Sequence, residues 1–467
     1  MEPEHLRFGG GASETQVHPL VLVWMLVAIV LILTLPRWKA ITPLLLTFFT
    51  VPIGQVVVLG SLHFTVMRIL ILVGLARMIS FGGSSKDKFG GGFNGVDWMV
   101  ALWTVTAMVM VSLQWMEMQA VIHNIGDFLD ALGGYLVIRF LIPDGLAVRR
   151  TIKTLAVICA INGVCMINEK ISHINVFGLL GGIPLAVTVR DGHIRSGGVL
   201  GCLYAGAFAG VLIPLFLWMW TDGKDKMIAF VGIAGATAMV ITSYSSTSWM
   251  AYGGSLIGLC FWPLRKWMRP IRWALVITIV GLHLAMKAPV WALIARIDLT
   301  GSSSGDHRYH LVDACIRHFG DWWLMGYYYY NQWGWDMWDL ANQFVAVALT
   351  GGLLSLICYV GIFSRSFSAI GRVRKQVSGD RAQEWRLWCL GSSLFATVVT
   401  SFGINYMAQL LMGFFPLLAC ISVATFEARQ TVVQEAEIPS DSRLPSFPTK
   451  PKLGFPIGQP ISRVQPR

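Results

Sequence analysis

The sequence predicts an all-α, polytopic bundle of about thirteen membrane-spanning helices with one large external loop. Three observations carry that. The 467 residues are 55% hydrophobic and only 13% charged, with a mean hydropathy of +0.61. The apolar residues come in continuous runs long enough to cross a bilayer, not in the alternating pattern of a barrel. Hydrocarbon also offers an unpaired peptide group no partner, so such runs must close their hydrogen bonds internally, as helices do.

The runs fall at residues 19–35, 41–59, 64–79, 98–116, 125–142, 152–167 and 199–220, then at 227–241, 249–264, 273–289, 342–363, 387–402 and 406–426. The second is the most interrupted, with Pro43, Pro52, Gly54 and Gln55. Short connections rich in Arg and Lys alternate with neutral ones: Arg37 and Lys39; Arg77, Lys86 and Lys88; Arg149, Arg150 and Lys153; Lys224 and Lys226; Arg265 to Arg272; Arg365 to Arg381. Positive loops stay cytoplasmic, which sets the N-terminus outside and the C-terminus inside. The net charge of +11 is thereby a topological signal, and nucleic acid is not an expected partner. Segments 168–198, 243–248 and 291–341 then share the opposite side. Residues 1–426 are expected to form the transmembrane catalytic domain, with 291–341 as the external loop carrying a short amphipathic helix. Residues 427–467, rich in Pro, Ser and basic residues, are expected to be a disordered cytoplasmic tail. No cleavable signal peptide is expected before the first run.

The eight cysteines form no CxxC pair and fall mostly inside apolar runs, so they read as small buried hydrophobes. No GxxxxGK[ST] and no GxGxxG after a strand occurs, which argues against an ATP-driven transporter within the chain.

Chemistry-bearing residues concentrate in the three segments on the shared side. Arg195 stands before a Gly/Ala-rich run, where a guanidinium can hold a phosphate by two parallel hydrogen bonds or bind lipid headgroups. Arg190 and His193 precede it. The hydroxyl run 242–248 can cap the next helix or touch sugar. In the large loop Asp306 is expected to cap a helix with Leu311, Cys315 and Phe319 on one stripe, ended by Gly320. Arg308 would then lie in its first turn, where the helix dipole asks for an anionic partner; His310 is on the same helix. The aromatic run from Trp322 through Trp335 to Trp338 serves as an interfacial belt or as flat faces for sugars. Asp339 and Asn342 precede the next run, Asp339 as a cap or as a general base for a hydroxyl. Arg68, Asp127, Asp130, Arg139 and Lys287 lie in or beside spans, where ionisable groups are functional suspects or simply pair.

Together these segments resemble the O-antigen ligase and polymerase superfamily of bacterial membrane enzymes. The resemblance rests on Arg195-Ser-Gly-Gly-Val-Leu-Gly before a small-residue helix, on Thr242-Ser243 through Ser248-Trp249-Met250-Ala251, and on Arg308 followed by Gly326, Asn342-Gln343-Phe344 and Gly351-Gly352-Leu353-Leu354. It spans roughly residues 190–363. Ala341 stands where the ligases carry a histidine, and the arginine of the middle motif is missing, which favours polymerase over ligase. The resemblance implies a GT-C-like membrane glycosyltransferase architecture in the bacterial inner (cytoplasmic) membrane, with the site on the periplasmic face. It implies transfer of glycan from a polyprenyl-diphosphate carrier to an acceptor hydroxyl, without metal or other cofactor. Arg195 and Arg308 would clamp the diphosphate and Asp339 would serve the acceptor. Arg190, His310, Trp335, Trp338 and Asn342 would contact substrate. A flippase and a chain-length regulator are the implied partners. The alternatives are a ligase moving glycan to a lipid or protein, and a non-enzymatic transporter of polysaccharide or lipid-linked glycan.

Overall fold

The computed structural model describes residues 15–437 apart from 61, 191, 297–303 and 335–336. It is 77% helical, and among the described residues eight helices are long and apolar enough to cross a membrane. Every apolar run of the sequence falls on a helix. In chain order these are α1 (Pro19–Thr34), α2 (Arg37–Thr50), α3 (Val66–Ser80), α4 (Gly95–Trp115), α5 (Met118–Leu141), α6 (Gly145–Ser172) and α7 (Cys202–Thr221). They continue as α8 (Lys226–Ser243), α9 (Ser246–Cys260), α10 (Met268–Ala285), α11 (Ser304–Arg317), α12 (Gln343–Gln376), α13 (Arg381–Ser401) and α14 (Ala408–Glu437). The second run departs from its expected form: its end is an antiparallel hairpin, β1 (Val56–Leu59) with β2 (Leu62–Thr65). Helix stops at Thr50 because Pro52 cannot continue it. A second hairpin pairs β3 (Thr188–Arg190) with β4 (His193–Arg195).

The middle of the bundle is packed through small residues, which let helix backbones approach closely where lipid gives no hydrophobic drive. Gly163 of α6 lies against the backbone of Gly235 in α8, and Gly258 of α9 against Ser392 in α13. The apolar part of α14 is almost wholly enclosed, whereas α10 buries no residue and lies at the periphery. α14 also runs past the expected boundary at 426 to Glu437, because the stretch after Phe426 lacks Gly and Pro and is rich in helix formers. Residues 438–467, the rest of the expected tail, lie outside the described residues.

Arg139 and Arg68, two ionisable groups inside the bundle, are each paired with a carboxylate. Arg139, fully buried, has Nε 3.4 Å from Asp97 Oδ1 and donates to the carbonyls of Phe89 and Gly90. Asp97 is itself fixed at the start of α4, where Asn94 caps its N–H. Arg68 makes two bonds to Asp130, at 3.0 and 2.6 Å. Lys287 is exposed.

α12 is not one straight span. The rings of Phe344 and Tyr359 lie 5.9 Å apart, and those of Phe344 and Phe363 6.2 Å. In a continuous helix residues 344 and 359 would stand about 22 Å apart. The chain therefore rises from Gln343 to Gly351, reverses at Gly352 (φ +71°, ψ −170°) and runs back down. Glycine is required there: that φ is left-handed, and a Cβ would meet Leu324 O at 2.6 Å. The end of the loop is thus drawn into the bundle as a re-entrant arm.

Candidate active site

The three polar segments meet at one end of the bundle. Residues 194–198 are held almost peptide by peptide. Lys170 Nζ donates to Ile194 O at 2.6 Å, and Ser196 N donates to Thr242 O at 3.0 Å. The Glu169 carboxylate accepts from Gly197 N and Gly198 N at 3.0 and 2.9 Å, and Asn175 Nδ2 donates to Gly198 O at 2.8 Å. Arg195 stands inside this frame, 8% exposed, its Nε without a hydrogen-bond partner among the described residues.

The turn between α8 and α9 is the common wall. Tyr244 takes a left-handed conformation (φ +45°) that ends α8, and His193 stacks on its ring at 4.2 Å. Ser243 Oγ donates to Ser248 Oγ at 2.9 Å, and Thr247 Oγ1 donates to Gly403 O at 3.0 Å. The hydroxyls brace the turn across its width; the expected cap is absent, since Ser245 makes no side-chain bond to the helix start. Arg308, 5% exposed, donates from Nη2 to Thr247 Oγ1 at 3.0 Å and reaches Met250 Sδ at 3.9 Å. The two arginines thus approach one turn, Arg195 through its neighbour's bond to Thr242 and Arg308 directly.

The loop helix differs from expectation in three details. α11 begins at Ser304, so Asp306 lies inside its first turn instead of capping it, and Arg308 sits past that turn. The helix dipole therefore asks nothing of Arg308, which is fixed by its burial against Thr247. Gly320 does not end the helix, which stops at Arg317, and a separate turn of helix spans Phe319–Trp322. Leu311 and Cys315 are buried, but Phe319 is 45% exposed and is not on their stripe. Burial pushes the Cys315 thiol up to about 12.

The remaining candidates spread outward. Asp339 is exposed; His307 Nε2 lies 2.8 Å from its backbone oxygen, and its charge is within electrostatic reach of Tyr204. Tyr204 donates to Asn405 Oδ1 at 3.3 Å, and Cys202, two residues away, is within reach of Arg195. Asn342 is buried, and its Oδ1 caps α12 by accepting from Phe344 N and Val345 N. Arg190 is exposed on β3, paired across the hairpin with His193. His310 is exposed and lies 3.3 Å from Asp306. Trp338 is exposed, and Trp335 lies outside the described residues. Much of the aromatic run packs on itself: Trp333 stacks on Tyr327 at 5.3 Å and on His318 at 4.7 Å.

Sequence reasoning missed Glu169, Lys170, Asn175, Tyr204 and Asn405. For the first two a signal existed, an Asp/Glu–Lys pair at the end of an apolar run. Among the described residues no three His, Cys, Asp or Glu side chains gather as metal ligands would. No family model matches the chain, and no curated protein matches it. Chemically, the arrangement offers two buried cations at one turn, a hydroxyl-rich wall, and a carboxylate on the arm beside them. That suits an anionic group with a hydroxylated partner.

Proposed function

We propose that this protein is a glycosyltransferase that polymerises polyprenyl-diphosphate-linked oligosaccharide repeats at the outer face of a bacterial inner membrane. On this reading the architecture is GT-C-like, with about thirteen helical runs crossing or entering the bilayer. The observation that carries the reading is the convergence of Arg195 and Arg308, both buried, on the turn 242–248. Guanidinium groups with little exposure are retained where an anion repays their desolvation.

The step is a displacement. The acceptor hydroxyl oxygen attacks the anomeric carbon of the donor glycan, and the bond from that carbon to the diphosphate oxygen breaks. Polyprenyl diphosphate departs with the electron pair, and the hydroxyl proton passes to Asp339. Arg195 and Arg308 stabilise the charge that grows on the leaving diphosphate. Glu169, Lys170 and Thr247 hold them in place beforehand, so little reorganisation is needed as the charge develops.

The test is glycan chain length in cells carrying Arg195→Ala or Arg308→Ala. Each variant is expected to lose polymer by at least about a hundredfold, the scale for removing one charge-stabilising donor; normal chains in both variants would rule out the clamp. A transporter is the second reading, favoured by the Arg68, Asp130 and Asp127 cluster within α3 and α5.

A further inference from the structure

Beside the candidate site lies a cleft of about 470 Å³, walled by α4, α5, the rising half of α12 and the start of α14. Such a volume falls within the range of small-molecule sites, roughly 300–1,000 Å³. Its α4 wall is apolar, with Trp103, Met108 and Val111. Its α5 wall is polar: Asn124, Asp127 and Asp130 line it around a π-helical turn, Leu129–Gly133. Single π turns gather at functional sites.

Asn124 is the decisive residue. It is 7% exposed, and its Nδ2 has no hydrogen-bond partner among the described residues. A buried amide donor left unpaired costs free energy that nothing in the packing returns, so a ligand acceptor is the group that fits it. Asp130 is committed to Arg68, whereas the Asp127 side chain is 63% exposed, its Oδ1 3.9 Å from the same guanidinium and its Oδ2 3.4 Å from His123 Nδ1. A donor beside an accessible carboxylate is a pairing for a hydroxyl, which accepts from one and donates to the other. Two carboxylates against the single Arg68 leave this wall net negative, which disfavours a phosphate; the arginines of the candidate site attract it instead. A purely apolar chain would leave the amide unpaired.

We propose that this cleft binds a neutral sugar ring, the acceptor end of the growing glycan, through Asn124 Nδ2 and the Asp127 carboxylate. The inference rests on the polymerase reading and adds to it the seat of the acceptor. The cleft communicates with the site through Asn405, which lines it and accepts from Tyr204, and through Leu340, adjacent to Asp339.

The experiment places the photocrosslinker p-benzoylphenylalanine at Met108 in the full-length protein, irradiates native membranes, and reads the adduct by mass spectrometry. Adducts bearing sugar mass are expected. Asn124→Leu combined with Asp127→Asn should reduce them at least about tenfold, the scale of one lost ligand hydrogen bond. The isosteric Asp127→Asn alone, checked for an unchanged unfolding temperature, should reduce them by about threefold and guards against misfolding of the double variant. Adducts of phospholipid only, no adduct, or sugar adducts undiminished in both variants would overturn the proposal. If the polymerase reading alone fails, sugar adducts persist while Arg195→Ala and Arg308→Ala cells keep normal chains. If the cleft alone fails, those cells lose polymer while the adducts carry no sugar.

Discussion

Residues 194–198 and residues 337–342 each carry a candidate catalytic side chain, and they are held in opposite ways. Around Arg195 the peptides are fixed by Glu169, Lys170, Asn175 and Thr242, and the guanidinium is buried. Around Asp339 the backbone has one side-chain partner among the described residues, His307, and Asp339 and Trp338 are exposed. The difference follows from what each group is asked to do. A cation that must meet growing negative charge gains most from being oriented beforehand in a dry wall. A base that meets a succession of acceptor ends can sit on an arm in contact with water.

Substitutions can break or sharpen that contrast. Among residues that only support the two segments, the largest effect is expected from Glu169→Gln, which keeps the volume but turns one of two acceptor oxygens into a donor facing a glycine N–H. Losing a charge-assisted bond costs about 1.5–3 kcal/mol, so chain elongation by membranes should slow roughly tenfold to a hundredfold. Next is Gly352→Val, which forces a β-branched residue into a left-handed conformation against Leu324 O. It should lower stability by about 1–3 kcal/mol, read as a fall in unfolding temperature in detergent. Asn342→Ala removes the cap of the rising half of α12 and should cost about 1 kcal/mol in the same assay. Trp338→Ala should leave stability within about 0.5 kcal/mol and alter elongation only through apparent substrate affinity. Equal losses of elongation from Glu169→Gln and Trp338→Ala would erase the contrast.

Much of the fold could be read from the sequence, because bilayer-length apolar runs leave the backbone little choice but helix. Each run from 19–35 to 406–426 falls on one. The re-entrant reversal could not be read. Residues 342–363 are apolar throughout, and hydropathy does not register a change of direction; only the Gly351-Gly352 pair marks it. Loop sidedness places residues 168–198, 243–248 and 291–341 on one face as one candidate site, while the pairing of Arg195 with Arg308 is an expectation of the family resemblance. The frame around Arg195 was not legible, since Glu169 and Asn175 act through bonds to backbone groups 23 or more positions away. Such bonds leave no local pattern. Asp306 failed as a cap for a related reason: several polar residues precede α11, and cap choice depends on where the chain enters.

The central claim is that the arginine-bearing wall performs transfer and not transport. The most direct measurement uses purified protein in proteoliposomes with a polyprenyl-diphosphate-linked repeat, following glycan length and free polyprenyl diphosphate together, with chelator present. The account predicts that glycan lengthens, that one polyprenyl diphosphate is freed per repeat added, and that Arg308→Ala abolishes both. Movement of the carrier across the bilayer with glycan length unchanged and no diphosphate freed would contradict it.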